Sequence, residues 1–297
     1  MKRKEGVTRS RRGRPGWGGH FNHKDWKRNG RKMNVPQNES DLEMLENAAR
    51  SGDGVAQHRL AMIQCDGDLA DYPYGDKSFQ AGLIWLKHSA EQGNVISQYQ
   101  YGRLCFEWRG DDLFGDGLLA AIAYWERAYA NGSNSNDPDE REAAAMAALE
   151  LAELNHYAML DFGEQFKPDP DKAAVWYERS ARLSNADAAD ALSDAIYLEN
   201  RDVFDWDAGE QHSEVLDKLF EYTKQAADQG YPYAKVRLAV LYAIGIGVAV
   251  DPDKALSLVR DTCSSYPHTV AEHCLKMIKE RNMTIRDALY ECRNYIG

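Results

Sequence analysis

One helix-pair pattern returns about six times along this chain, and a sequence that repeats at this scale cannot fold around a single central core. The clearest copy is Ala234 to Asp261, AKVRLAVLYAIGIGVAVDPDKALSLVRD, with degraded copies beginning near Ala56, Ser97, Ala147, Ala188 and Ala271. The matching apolar positions Leu60, Tyr101, Leu151, Leu192, Leu238 and Leu275 are 41, 50, 41, 46 and 37 residues apart. Self-similarity at about 35–50 residues predicts stacked helical hairpins that bury their apolar faces against their neighbours.

The second half of each unit repeats as well. Trp85 to Gly93 (WLKHSAEQG) aligns with Tyr124 to Gly132, Trp176 to Ser184 and Tyr222 to Gly230, and Leu45 to Gly52 is a leading half-unit. The aromatic fills the gap between helices, paired small residues allow close approach, and the terminal Gly supplies a left-handed cap. Asp169-Pro170 and Asp251-Pro252 read as starts of second helices, with Asp as N-cap and Pro at the first helical position.

These residues resemble the Sel-one-like repeat, a relative of the tetratricopeptide repeat, over roughly Asp41 to Cys292. Its pattern runs A-x-x-x-L-A/G-x-x-Y-x-x-G-x-G-V-x-x-D-x-x-K-A-x-x-W-Y-x-K-A-A-E-Q-G. The resemblance is strong over 232–262 and in the AEQG-type helix ends, whereas the connecting loops elsewhere depart from G-x-G-V. It implies an all-α fold, a right-handed α-α superhelix of about five to six antiparallel helix pairs, serving as a protein-binding scaffold, mostly in bacteria.

Helices are expected near 41–51, 54–66, 79–92, 95–108, 117–130, 139–160, 170–183, 186–199, 212–229, 232–244, 252–263, 268–280 and 284–294. The last, within Thr284–Tyr295, is expected to cap the open end of the stack. Residues 1–40, rich in Arg, Lys, Gly and Trp, read as a disordered basic tail ahead of a solenoid over 41–297.

Charge divides at that boundary. Residues 1–34 carry 12 Lys/Arg and 2 acids, so the 36 basic and 47 acidic residues of the whole leave 24 and 45 beyond it, a net of −21. An acidic body favours a basic protein partner over nucleic acid. No stretch approaches 18 apolar residues, and the N-terminus has no apolar segment of a secretory signal, so cytoplasmic residence without membrane contact is the expectation.

Catalytic, metal and cofactor signatures are not found: no GxSxG, HExxH, P-loop or Ser-x-x-Lys. The last bears on the resemblance, because some similar secreted proteins have been linked to β-lactam binding. His268 and His273 are not spaced to share a helical face, so a metal site is not expected there. Five scattered cysteines, Cys65, Cys105, Cys263, Cys274 and Cys292, form no zinc spacing. Some secreted relatives staple neighbouring repeats with a disulfide, and Cys263 and Cys274 sit at similar places; reduced, helix-packed thiols are the preferred reading. A cysteine-stapled hydrolase or drug-binding protein is accordingly the remotest of the alternatives.

Two binding features stand out. Arg12-Gly13-Arg14-Pro15 resembles the AT-hook core, in which such a strand enters the narrow minor groove of A·T-rich DNA, and gives the alternative of a DNA-tethered scaffold. A generic basic arm, or translation beginning at Met33, is the preferred reading. The loops within hairpins set aromatics among acids: Tyr72 and Tyr74; Trp108, Asp111, Asp112 and Phe114; Phe162 and Phe166; Phe204, Asp205, Trp206 and Asp207. Stacking would align these loops as one aromatic–acidic edge, and exposed aromatics are typical interface anchors. The competing reading is that each aromatic folds back to plug its own hairpin. The chain thus reads as a non-enzymatic scaffold, of immunity or regulatory type, gripping a basic protein through this edge and its concave face.

Overall fold

Four of the turns between successive units are set by a left-handed residue, followed at three of them by a capping Asn or Asp. Gly52, Gly93 and Gly230 have φ of 96°, 95° and 99°, and Ser184 takes the same role at 68°. At each, two backbone bonds close the preceding helix, as in Gly93 N–H to Ala90 O and Asn94 N–H to Ser89 O. The next side chain opens the following helix: Asp53, Asn94 and Asn185 accept from the backbone amides of Ala56, Ser97 and Ala188. Because Ser184 bears a Cβ in the left-handed region, Ser184→Gly is expected to raise stability by about 0.5–1 kcal/mol. A urea midpoint that does not rise would show that strain is absent there.

The computed structural model describes residues 36, 38–65, 77–107, 117–156, 166–265 and 269–296, which form thirteen α-helices. A leading helix α1 (Glu39–Arg50) precedes six pairs. The first helices are α2 (Gly54–Cys65), α4 (Val95–Glu107), α6 (Pro138–His156), α8 (Ala186–Asn200), α10 (Pro232–Ile244) and α12 (Thr269–Arg281). Their partners are α3 (Lys77–Glu91), α5 (Gly117–Gly132), α7 (Pro170–Arg182), α9 (Glu214–Asp228), α11 (Pro252–Ser265) and α13 (Ile285–Cys292). Asp169 and Asp251 cap α7 and α11 ahead of Pro170 and Pro252, as expected. Residues 1–35, 37, 66–76, 108–116, 157–165, 266–268 and 297 lie outside the described residues.

Each helix packs on its neighbours in sequence, and α4 also packs on α6 and α8 on α10. Apart from α13, which caps the stack against α11, second helices make no comparable contact with one another, so the first helices line the inside of the curve. The apolar interior follows this arrangement as three clusters in series, joined through half-buried Trp85, Met146 and Trp176. Trp125 of α5 is fully buried at the centre of the middle one, where only a Gly fits opposite: a Cβ on Gly102 would lie 2.8 Å from its indole.

Loops stack too. Gln211 accepts from Gly247 N–H and donates its own N–H to Gly245 O at 2.6 Å, joining the α8–α9 loop to the α10–α11 loop. Gly245 and Gly247, both at positive φ, allow this, since a Cβ on Gly247 would stand 2.6 Å from Leu216 O. At the C-terminal end α13 buries Ile285, Ala288, Leu289 and Cys292 and covers α10, α11 and α12. The described cysteines, Cys105, Cys263, Cys274 and Cys292, are free thiols. Cys274 is held not by Cys263 but beside Cys292, and its thiol donates to Ala288 O at 3.7 Å.

Candidate functional site

The inner face carries a ladder of charges set by the repeat register. Arg103 on α4 pairs with Glu150 on α6 at 3.5 Å. Asp194 on α8 pairs with Arg237 on α10 at 2.5 Å. Counted from the equivalent residues Ser97, Ala147, Ala188 and Ala234, both pairs join the seventh residue of one unit to the fourth of the next. Between them, the same register sets Glu153 of α6 against Ala191 of α8, which has no charge to offer.

Glu153 is half-buried and its surroundings are acidic. Burial, with Glu150 and Asp187 nearby, pushes its carboxyl up to about 7. The phenol of Tyr231 donates to Asp187 at the start of α8. Asp190 is also raised, because burial outweighs the Arg237 guanidinium beside it. Glu153 and Asp187 thus form no ion pair among the described residues, whereas Arg237, only 1% exposed, is bonded to Asp190, Ser193 and Asp194 and leaves its Nε without a partner.

At the loop edge, the described residues turn inward more than the sequence suggests. Phe204 is no exposed anchor: it is buried in the core and meets Tyr197 edge-on at 5.7 Å. Trp206 is half-buried against Tyr290 of α13, ring centroids 5.1 Å apart. Asp205 accepts from the backbone amides of Asp207 and Ala208, and Asp207 pairs with Arg286. This loop thus plugs its own hairpin and straps it to the terminal helix. Of the earlier loops, Phe166 is half-buried on the middle core cluster. Tyr72, Tyr74, Trp108, Asp111, Asp112, Phe114 and Phe162 lie outside the described residues, as do Arg12, Gly13, Arg14 and Pro15.

No group of His, Cys, Asp and Glu fit for a metal occurs among the described residues, and no described helix is long and apolar enough to cross a membrane. Sequence reasoning missed Glu150, Glu153 and Asp187. Their signal was available: charged residues at fixed places in the first helix of successive units, with one cation replaced by Ala191.

Helix pairs stacked through capped turns, with an inner face made by every other helix, define an α-solenoid of the interaction-repeat class. The Sel1 repeat model matches residues 54–94, 95–133, 145–185, 220–231 and 232–260, more than half of the chain, which belongs to the Sel1 repeat family. The unmatched stretch 186–219 includes the loop that straps α13. An uncharacterised protein of Neisseria meningitidis serogroup B is 25% identical over 282 residues, 80% of this chain and 57% of that protein. The chain thus spans a little over half the length of that relative. Two solved structures share the fold. One is a protective antigen with an SLR fold present in uropathogenic Escherichia coli, with a TM-score of 0.53 and 22% identity over 80% of this chain and 44% of the other. The second is a Sel1 repeat protein of Oxalobacter formigenes, with a TM-score of 0.50 and 24% identity over 82% and 61% respectively.

Proposed function

We propose that the chain is a non-enzymatic interaction scaffold that receives a basic segment of a protein partner on its inner face, at Glu150, Glu153 and Asp187. The observation that carries this reading is the missing rung: ion pairs link first helices on either side, while the same register aligns Glu153, whose carboxyl is raised by burial with Glu150 and Asp187 nearby, with the uncharged Ala191. A Lys or Arg from a partner would occupy that rung and offset Glu153 and Asp187, beside the Arg103-paired Glu150. Asp202, Asp205 and Asp207, exposed along the loop edge, extend the same negative potential and would speed encounter with a basic partner. Membership of a repeat family that serves as interaction scaffolds supports the class of function.

The test uses a lysine-rich peptide as the probe and calorimetry at pH 7 in two buffers of different ionisation enthalpy. A cation docked beside Glu153 lowers its proton affinity, so binding should release protons. Glu153→Gln should abolish that release and weaken binding about tenfold. Buffer-independent enthalpy in the wild type, or unchanged affinity in Glu153→Gln, would remove the inner face as the docking site.

A further inference from the structure

A cleft of about 510 Å³ opens where the 201–211 loop meets α13. Its walls include Trp206 and Tyr290, and its charged lining divides by depth. Asp202, Asp205, Asp207 and Asp287 are solvent-exposed at the rim, where water screens them. Asp207 is paired with Arg286, and Asp287 accepts from the Thr284 hydroxyl at 2.7 Å in the cap of α13. Arg201 and Arg293 are half-buried, and neither forms an ion pair among the described residues.

The floor holds donors that the protein leaves unused. Arg201 Nε is sequestered from solvent without a hydrogen-bond partner, and so is the hydroxyl of Tyr197, whose side chain is fully buried behind the cleft against Phe204. Burial raises that phenol, and the cations Arg237, Arg201 and Arg293 oppose it, in that order. Arg237 is spent on Asp190 and Asp194. Arg293 stacks on Tyr290 at 3.9 Å and gives one N–H to Tyr290 O at 2.8 Å, which fixes its plane and leaves the rest of its fork free. A cleft lined by two half-buried guanidinium groups that form no ion pair among the described residues offers donors to an acceptor from outside.

We propose that this cleft binds an organic carboxylate, its two oxygens taken by Arg201 and Arg293 and its apolar neighbour lying against Trp206 and Tyr290. Guanidinium forks match the planar carboxylate, and an aromatic wall beside them suits the apolar substituent of a chain terminus or an aryl acid. The exposed aspartates at the rim disfavour a dianion, so the site selects a monoanion over phosphate. This assignment stands apart from the inner-face reading, because Arg201, Arg293, Trp206 and Tyr290 take no part in docking at Glu150, Glu153 and Asp187.

The test is an NMR titration of the full chain with N-acetyl-phenylalanine, its neutral carboxamide, and inorganic phosphate. The carboxylate should shift indole resonances that Trp206→Phe removes, and should bind about tenfold more tightly than the carboxamide. Arg201→Gln and Arg293→Gln should each weaken the carboxylate about tenfold and leave the carboxamide unaffected. Arg293→Gln guards the experiment if Arg201→Gln melts early, since Arg293 lies in the terminal turn. Equal binding of acid and amide, displacement of the acid by equimolar phosphate, or no shift at about 10 mM probe overturns the assignment.

Discussion

Arg237→Ala is expected to destabilise the chain by about 3 kcal/mol and to split its unfolding into two transitions. Arg237 is almost fully buried, yet it spans from α10 back to α8, donating to Asp190 at 3.2 Å, Ser193 at 2.7 Å and Asp194 at 2.5 Å. Its guanidinium also lies 5.9 Å from the Tyr197 ring centroid. Removing it leaves two carboxylates facing each other at the joint between repeats, with no cation to replace it. Those carboxylates are 28% and 37% exposed, so water relieves part of the repulsion and the cost falls at the low end for a broken buried pair. In a stacked-repeat protein such a loss falls on one interface, and the units from α10 onward should melt ahead of the rest. Urea unfolding followed by circular dichroism would show this. A single transition displaced by less than about 1 kcal/mol would mean that the cluster confers specificity of stacking without net stability. Replacing Arg237, Asp190 and Asp194 together by apolar residues separates the cases, because that variant should recover most of the loss.

The stack was legible because its local code is redundant. Gly93-Asn94 ends one helix and begins the next within two residues, and the same device recurs at Gly52-Asp53 and Ser184-Asn185, so most boundaries fall within two residues of expectation. At α6 periodicity carries the helix to 160; its described part ends at His156, and 157–160 lie outside the described residues. The direction of loop aromatics was not legible. Phe204 and Trp206 lie two apart in a loop with no period, and only the fold shows one entering the core and the other resting on Tyr290. The partner of Asp207 is 79 residues away in sequence, and that of Asp194 is 43 away. Contacts of that span depend on how units stack, which the pattern within a unit does not encode. The inner-face ladder is intermediate. Its residues occupy fixed places in the repeat, but that those places face one another follows from α4 meeting α6 and α8 meeting α10.

Stability should be nearly flat between about pH 4.5 and 6.5 because two titrations oppose each other, and removing either group should unmask the other. His58 is buried, 7% exposed, and its Nδ1–H donates to Ser97 at 2.9 Å; Ser97 donates to Ser89, and Ser89 to Gly54 O. That chain of donors suits a neutral imidazole, and burial lowers His58 from 6.5 to about 4. The unfolded chain takes up this proton first, so the His58 contribution is complete above pH 6.5 and is lost as the pH falls toward 4. Glu153 runs the other way. Its carboxyl rises from 4.5 to about 7, so its contribution is complete below pH 4.5 and is lost as the pH rises through 7. Glu150 and Asp187 are the charges that face it, and both hold it protonated; the raised Asp190 adds to the same side. Each shift corresponds to about 1–3 kcal/mol once partial solvation is allowed for. His58→Asn, whose amide can reach Ser97 as the imidazole does, should leave a protein that grows more stable by that amount on acidification from pH 7 to 4.5. Glu153→Gln should be more stable than the wild type at pH 7.5 and equal to it at pH 4, so that its stability falls steadily through the window. Melting temperatures of the three proteins at half-unit steps of pH decide the matter. Parallel profiles in all three would mean that neither group carries the charge balance assigned to it, and a Glu153→Gln profile unchanged at pH 7.5 would also remove the strained carboxylate on which the docking site depends.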